Sequence, residues 1–588
     1  MTTTLATPAD PVAGDPDRPW ARRLLVGMIF LGVTLVMLRP TVYDLNHTLT
    51  NLGDPALVGW IVSWSSHVLL TDPTSVFQAN IFWPHPDSLA YTDSLLLLAP
   101  PFALVRALGG SWALGVNLVT IALLLVSLAA TYALARRLTG RTDAALLAAI
   151  AFTYSSYTFA HIGHTHLLLI GQFSLGFLAT FTLLERPRWQ AGVLLGLLNV
   201  SFCLGSLYYA LTWAICLVTI LAIHVIRQRM KLGRTFWAVL ALTGAVSMLA
   251  APIFVPYMRL SEDRPLVAEW GFKLGDAVTV APGSYLYEGL DDWASMRNTR
   301  WEHSFFPGFS TGALAIVGTG AVIMGGIRRR RRPVAVDDLQ DADADRRRRE
   351  LWILIAAAVP TTIIALGSET RGYAMPFAWL HDHVPGFGGI RITARFAIPA
   401  LLAGCVLAAV GYAALTTRLR KRASVMVATA LLAVLVFELA GPLTHLRVPE
   451  DRATLAVYRE LNRRPDGAVA ELPMMSPVEG GGRAWSYVEA LRMLYSTLDF
   501  HPRVNGQSGG WPEEYPADIA ELNQFPGLVA RRAAQRLRVR YFVLHTGPAA
   551  GFPQYSVPQV QRMLRGLPAG VSARRYGDSW LVDLGPPS

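Results

Sequence analysis

The sequence predicts a mostly α-helical protein: a polytopic transmembrane helix bundle of about eleven spans, followed by an extracytoplasmic mixed α/β domain. Three observations carry that expectation. Of 588 residues, 52% are hydrophobic and only 16% charged, whereas soluble proteins carry about 25% charged residues. The apolar residues gather into runs of roughly 16–25 residues, the length that crosses a bilayer. After position 441 these runs stop, and short strand-like stretches alternate with helical ones.

In chain order, residues 1–22 are rich in Thr, Pro and Asp and read as a disordered cytoplasmic N-terminus. Arg22 and Arg23 precede the first apolar run. No small-residue cleavage signal follows it, so it reads as an uncleaved anchor. The runs lie near 24–39, 112–136, 142–160, 165–184, 190–205, 206–226, 236–257, 310–327, 351–367, 394–416 and 423–441. A further run, 94–108, is interrupted by Pro100, Pro101 and Arg106.

Basic residues cluster at Arg22–Arg23, Arg136–Arg141, Arg186–Arg188, Arg227–Arg234, Arg328–Arg349 and Arg418–Arg422. The positive-inside rule places these in the cytoplasm. They alternate correctly only if 94–136 crosses once, which makes 94–108 a re-entrant or interfacial helix. The expected topology is a multi-pass bacterial plasma-membrane protein with its N-terminus inside and its C-terminus outside. The transmembrane domain then covers 23–441. It carries a first outer loop at 41–93, an outer loop at 258–309 and a cytoplasmic loop at 328–350. The extracytoplasmic α/β domain covers 442–588, with strand-like runs at Ala468–Leu472, Arg540–Leu544 and Ser579–Asp583.

The net charge of +11 is almost all arginine; lysine occurs only at Lys231, Lys273 and Lys421. That bias fits a GC-rich genome of the actinobacterial kind. The positive charge lies in short loops, where membrane orientation accounts for it, so no nucleic-acid partner is expected. Cys203, Cys216 and Cys405 all sit inside apolar runs, so neither a disulfide staple nor a zinc spacing is expected.

The first loop is the most conspicuous polar stretch. Gly53-Asp54-Pro55-Ala56-Leu57 is a helix start, with Asp54 as N-cap and Pro55 at the first helical position. The helix that follows aligns Leu57, Trp60, Ile61, Trp64 and Val68 on one face, a pattern suited to the membrane interface. Asp54 has two readings, a cap or a general base whose basicity rises at the lip of a cavity. Asp93, ahead of the 94–108 run, is likewise a cap or a second catalytic carboxylate. Asp72 and Asp87 read as turn residues. Trp83 and His85 are candidates to line a substrate site.

His161, His164 and His166 bracket a short outer turn, where His164 and His166 could ligate a divalent cation, Mg²⁺ or Mn²⁺. Arg391 and Arg395, at i and i+4, would share one helix face at an outer membrane end. Paired guanidinium forks there suit a lipid-linked phosphate, and snorkelling to the interface is the alternative. Glu302, in Glu302-His303-Ser304-Phe305-Phe306-Pro307-Gly308, and Asn505, in the loop 502–512, are further substrate-lining candidates. That loop mixes amide, hydroxyl and aromatic groups as sugar sites do, although Asn505-Gly506 is also a turn signal.

Several of these stretches resemble a known class. They are Gly53-Asp54-Pro55, Ala79-Asn80-Ile81-Phe82-Trp83-Pro84, Pro385-Gly386-Phe387 with Arg391 and Arg395-Phe396, and Glu471-Leu472-Pro473 with Asn505-Gly506. They are similar to uncharacterised bacterial members of the GT-C class of membrane glycosyltransferases. The resemblance covers most of the chain as an architecture, and its motifs are short. It implies a donor sugar on polyprenyl phosphate, a glycan, glycolipid or protein acceptor in the cell envelope, and inverting transfer on the extracytoplasmic face. It also implies that Asp54 stands where the class keeps its first-loop base or metal ligand. His164-Thr165-His166 stands where some members keep an acidic or acid/His motif, but lacks the carboxylate. Two rival readings remain: a transporter or flippase of lipid-linked glycans, and an inactive scaffold in which Asp54 only caps a helix. Charged groups are sparse inside the spans, His224 and Glu438 lying near ends, which disfavours transport.

Overall fold

The structure, a computed structural model, describes residues 19–228, 232–261, 270–282, 284–287, 300–330, 339–370, 373–478, 483–547, 554–568 and 570–586. Most of the expected N-terminal tail 1–22, much of the 258–309 loop and positions 331–338 of the 328–350 loop lie outside these residues. The chain divides into two compact units. One comprises Met1–Val42 and Thr120–Leu443, the other Tyr43–Val119 and Thr444–Ser588. The 41–93 loop thus falls almost wholly in the same compact unit as the C-terminal domain.

Every expected apolar run is helical. Seven helices among the described residues are long and apolar enough to cross a membrane: Trp20–Met37, Trp112–Thr139, Thr165–Glu185, Leu207–Arg227, Arg234–Leu260, Thr393–Thr416 and Arg422–Leu439. The chain is therefore a multi-pass membrane protein. The other four runs fold as shorter or mixed helices. Thr142–Thr153 has 12 residues and Trp189–Gly205 has 17. Phe309–Met324 is a short apolar helix. Leu339–Ala365 has 27 residues, but its first half is the charged stretch Asp341–Glu350. The 94–108 run yields only a nine-residue helix, Ala99–Ala107, whose rise of about 14 Å is half a bilayer core of about 30 Å.

Within the first unit, helices Phe309–Arg330 and Ile398–Thr416 approach through glycines. A Cβ on Gly318 would lie 1.9 Å from the Leu407 carbonyl oxygen, and one on Gly411 would lie 2.0 Å from that of Leu314. Small residues allow such backbone approach between membrane helices. A buried ion pair, Arg141–Asp143 at 2.5 Å, is completed by the Tyr412 hydroxyl donating to Asp143 at 3.0 Å and by Arg141 donating to Ser424 Oγ at 3.1 Å.

The second unit is built on a four-stranded sheet in the order Ala468–Leu472, Val539–His545, Ser579–Asp583, Ser572–Tyr576. The first two strands are parallel, with Ala470 opposite Phe542, and the remaining pairs are antiparallel. The parallel pair requires a long crossover. That crossover holds the helices Arg483–Ser496, Tyr515–Leu522 and Leu528–Arg536.

The core of this unit is charged. Arg503 reaches Glu471 Oε1 at 2.8 Å, Asp499 at 2.8 Å and the His501 carbonyl at 2.9 Å. The other Glu471 oxygen meets the Tyr458 hydroxyl at 2.7 Å and His545 Nε2 at 3.0 Å. Buried ions are tolerated only when their hydrogen-bonding capacity is filled in this way. Burial alone would raise Glu471, but the His545 bond and the Arg503 charge hold it at about 2. Glu489, also fully buried, goes the other way. Its burial outweighs the pull of Arg492 and lifts it to about 7.

These two carboxylates give opposite pH dependences. Folded Glu489 holds its proton more tightly than the unfolded chain does. Its contribution favours folding at low pH and is lost as pH rises from about 4.5 to 7. Glu471 contributes above about 4.5, and that contribution is lost as pH falls toward 2. Replacing Glu489 by Gln removes the first effect alone. Thermal unfolding of the intact protein across pH is expected to show a destabilisation on the order of 2 kcal/mol between about pH 5 and 8 in the wild type and a flatter profile in Glu489→Gln. Equal slopes would mean that Glu489 does not titrate in that window.

Candidate functional site

In the second unit the helix Asp54–Thr71 starts one residue earlier than its capping pattern predicts. Gly53 is the N-cap and Asp54 is the first helical residue, half-buried. Asp54 still stands in the first turn, where a negative charge is favoured by the helix dipole. The face expected to meet the membrane interface is covered by protein instead. Leu57, Trp60, Ile61, Trp64 and Val68 are buried, and the helix packs on Arg483–Ser496 and Ala99–Ala107. The indole N–H groups explain why. Trp60 donates to Asn80 Oδ1 and Trp64 to the Val76 carbonyl, both at 2.9 Å, so the rings have partners inside the fold.

Asp93 is not a cap. It lies in a half-buried, non-helical segment ahead of a helix that begins only at Ala99, with Leu98 as its N-cap. The next carbonyl, Ser94, accepts from Ser65 Oγ of the Asp54–Thr71 helix at 2.9 Å, so this segment packs along the helix that Asp54 starts. Asp72 behaves as the expected turn residue, accepting from Thr74 and Ser75 hydroxyls at 2.6 and 2.5 Å.

The Asn80–Trp83 motif, the Glu471 strand and the Asn505 loop lie side by side. Phe82 N–H donates to the Asn505 carbonyl at 3.2 Å and Trp83 N–H to that of Arg503 at 2.8 Å. Val504 N–H donates to Val469 at 2.9 Å. Asn505 was expected to line a substrate site, but its side chain is spent on the protein. Its Oδ1 accepts from Glu471 N–H at 2.7 Å, and its Nδ2 donates to the Glu471 carbonyl at 3.0 Å and to Glu489 Oε2 at 3.1 Å. It is 1% exposed, so it shapes the loop from behind. Trp83 is likewise pinned, its indole donating to the Leu537 carbonyl at 2.7 Å. His85 is half-buried one residue beyond Pro84. Gly506 is required by its neighbour, since a Cβ there would lie 2.5 Å from the Phe82 ring.

What the loop presents is Gln507, Ser508 and Trp511. Gln507 Nε2 donates to Ser486 Oγ at 3.4 Å. Ser486 also abuts the Asp54 helix start, because a Cβ on Gly53 would lie 3.4 Å from its hydroxyl and 3.8 Å from the Tyr487 ring. Gln507 Oε1 and Ser508 Oγ are buried with no hydrogen-bond partner among the described residues. Buried polar atoms are nearly always paired, so an orphaned cluster calls for an account. Trp511 packs edge-on against Trp485 at 5.5 Å. Helix start, helix Arg483–Ser496 and loop thus gather Ser486 and Gln507, with Ser508 next in the chain, into a polar cluster at the start of the Asp54 helix. Sequence reasoning singled out this loop through Asn505, whose amide is occupied within the protein.

The first unit holds the other expected residues. Arg391 and Arg395 do not share a helix face. Arg391 is exposed in a non-helical segment, its backbone N–H donating to the Tyr208 hydroxyl at 3.1 Å. Arg395 is buried in the short 3₁₀ turn Thr393–Ala397. It grips Glu302 with two bonds of 3.1 and 2.7 Å and lies 4.8 Å from the Tyr208 ring centre. Glu302 also takes His161 Nε2 at 3.0 Å, while His161 Nδ1 meets the Tyr157 carbonyl at 2.8 Å. Burial would raise Glu302, but the Arg395 charge and then His161 outweigh it and hold the carboxyl well below its usual range. The His161–Glu302–Arg395 triad joins three distant chain segments, and no local spacing announced it.

His164 and His166 sit beside this triad, with ring centres 5.7 Å from His161 to His164 and 6.1 Å from His164 to His166. The donor set does not fit the divalent cation expected there. Glu302 is committed to Arg395 and His161, and among the described residues no group of three or more His, Cys, Asp or Glu side chains is placed to hold a metal.

Comparison with known proteins bears on the fold. Residues 26–440 match the family described as a domain of unknown function, DUF6311. No curated protein matches the chain. The arabinofuranosyltransferase AftD from Mycobacteria superposes with a TM-score of 0.57 at 14% identity, over 99% of this chain and 40% of AftD. A mutant form of AftD gives 0.55 at 14% identity, over 97% and 42%. The archaeal oligosaccharyltransferase AglB from Archaeoglobus fulgidus, solved with an inhibitory peptide and a dolichol-phosphate, gives 0.42 at 15% identity, over 90% and 70%. The chain thus spans about two fifths of AftD's length and carries a GT-C-like fold. By the match over most of its length, it belongs to the DUF6311 family.

Proposed function

We propose that this chain is a GT-C-type glycosyltransferase that moves a sugar from a polyprenyl-phosphate donor to a hydroxyl of a cell-envelope acceptor on the extracytoplasmic face. The observation that carries the reading is the polar cluster at the Asp54 helix start, where Gln507 Oε1 and Ser508 Oγ are buried without hydrogen-bond partners among the described residues. Those two atoms are an acceptor and a donor of hydrogen bonds, the complement of a sugar hydroxyl. The fold likeness to AftD supports the same class.

In this reading Asp54 takes the proton from the acceptor hydroxyl as its oxygen attacks the anomeric carbon. The bond from that carbon to the phosphate oxygen breaks, and polyprenyl phosphate leaves with the electron pair. Attack opposite the leaving group inverts the anomeric configuration. Taken by itself in the first unit, Arg391, exposed and charged, is the residue we assign to binding a lipid-linked phosphate. Arg395 does not contact phosphate in this reading, because its guanidinium is taken by Glu302; it orders the segment that carries Arg391.

With purified protein, a radiolabelled polyprenyl-phosphate sugar and candidate acceptors, Asp54→Asn is expected to lower transfer by about 10²–10⁴-fold. Asparagine keeps the shape of the first helical turn, so the fold should persist, and unchanged transfer would remove Asp54 as base. Arg391→Ala is expected to weaken donor affinity about tenfold with little change in transfer at saturating donor. Unaltered affinity would take the phosphate role away from Arg391.

A further inference from the structure

The second unit holds a cleft that none of the roles above uses. It encloses about 510 Å³ of empty space, part of it open to solvent. Its two sides differ in chemistry. Tyr458, Tyr495 and Leu491 form an apolar side. The two rings lie 5.5 Å apart at 59°, and their hydroxyls are turned away to Glu471 and to the Pro449 carbonyl at 2.7 and 2.6 Å. Arg492, Asp578 and Thr454 form a polar side.

The polar side is built rather than incidental. Arg492 is 7% exposed and is held by one nitrogen alone. Its Nη1 donates to the Pro473 carbonyl at 2.8 Å, to Glu489 Oε1 at 3.0 Å and to the Glu471 carbonyl at 3.3 Å. The rest of its guanidinium makes no hydrogen bond to the described residues. Asp578 sits in the turn between the strands Ser572–Tyr576 and Ser579–Asp583. Thr546 fixes its backbone, donating to its carbonyl from N–H at 2.8 Å and from Oγ1 at 2.7 Å. The Asp578 carboxylate has no hydrogen-bond partner among the described residues. A rigid donor and a rigid acceptor of opposite charge thus border one cleft across from an aromatic wall.

We propose that this cleft binds a neutral sugar residue, at a place separate from the polar cluster at the Asp54 helix start. A sugar ring has an apolar C–H face and a rim of hydroxyls. The Tyr458–Tyr495 wall suits the face. A guanidinium that only donates and a carboxylate that only accepts suit neighbouring hydroxyls, which do both. An anionic ligand would meet Asp578 and a cationic one Arg492, so the paired charges select for neutrality. The two places share the helix Arg483–Ser496 but use different residues of it. Ser486 and Tyr487 lie at Gly53, while Leu491, Arg492 and Tyr495 line the cleft. The inference stands whether or not the chain transfers sugars.

Full-length protein in lipid nanodiscs, with methyl glycosides of neutral hexoses and pentoses as probes and methyl glucuronide as the charged comparison, tests this by saturation-transfer NMR. At least one neutral glycoside is expected to bind with millimolar affinity and glucuronide to bind more weakly. Asp578→Ala is expected to weaken binding about tenfold or more. Gly547→Ala gives a second reading that keeps the carboxylate, since a Cβ there would lie 2.3 Å from Asp578 Cβ and must displace it; it too should weaken binding. The proposal falls if no neutral glycoside binds, if glucuronide is preferred, or if both variants keep their unfolding midpoint and bind as the wild type does. Binding lost in Asp54→Asn but kept in Asp578→Ala would place the sugar at the Asp54 helix start and overturn the proposal.

Discussion

A single buried carboxylate organises the second unit. Glu471 lies in the middle of a strand with no exposure, and its charge is kept there by Arg503 on one oxygen and by Tyr458 and His545 on the other. Each partner belongs to a different element, so one ion draws together the helix Ala456–Leu461, the strand Val539–His545 and the 499–505 loop. Leaving any member unpaired in such a network costs several kcal/mol, on the order of 3–5 for a stranded charge. The network therefore specifies one arrangement of the loop, and with it the positions of Gln507 and Ser508. Asn505 is the link. It bonds the Glu471 backbone from both ends of its amide and touches Glu489.

The first unit solves a related problem with the same chemistry. Arg395 and His161 meet on Glu302, all three nearly free of solvent. The three residues lie in short 3₁₀ turns and a helix C-cap rather than in long helices. Irregular backbone of this kind leaves polar groups to be satisfied by side chains. The triad therefore accounts for the sequence oddity of an arginine at the start of an apolar helix. It frees Arg391 as the guanidinium that remains exposed.

The sequence reading of the fold rested on run length and loop composition, and all eleven apolar runs are helices. Among the described residues seven of those runs are helices long and apolar enough to cross a membrane, while helix ends such as Thr153 are placed only by the fold. At the sites, residue type was legible and role was not. Asn505 and Gln507 are both amides in one loop, and only burial separates the one that holds the backbone from the one with an orphaned oxygen. Glu302, His161 and Arg395 were each conspicuous, but the first bond spans 141 residues and the second 93, beyond the reach of any periodic pattern. The cleft beside Arg492 and Asp578 left no local signal, because its walls come from four separated stretches.

The contact between Gly506 and Phe82 has a consequence for how such a chain diversifies. Phe82 holds a left-handed backbone conformation, φ 54°, that a bulky side chain rarely adopts, and its ring occupies the space a Cβ at 506 would need. The two positions are thus locked as a lid and its seat, and neither can change alone. Substitution at either position must therefore be answered at the other, whereas Gln507, Ser508 and Trp511 lie beyond the lock. On the function proposed above, those three can be exchanged to alter what the chain binds without displacing Asn505 from its bonds to Glu471.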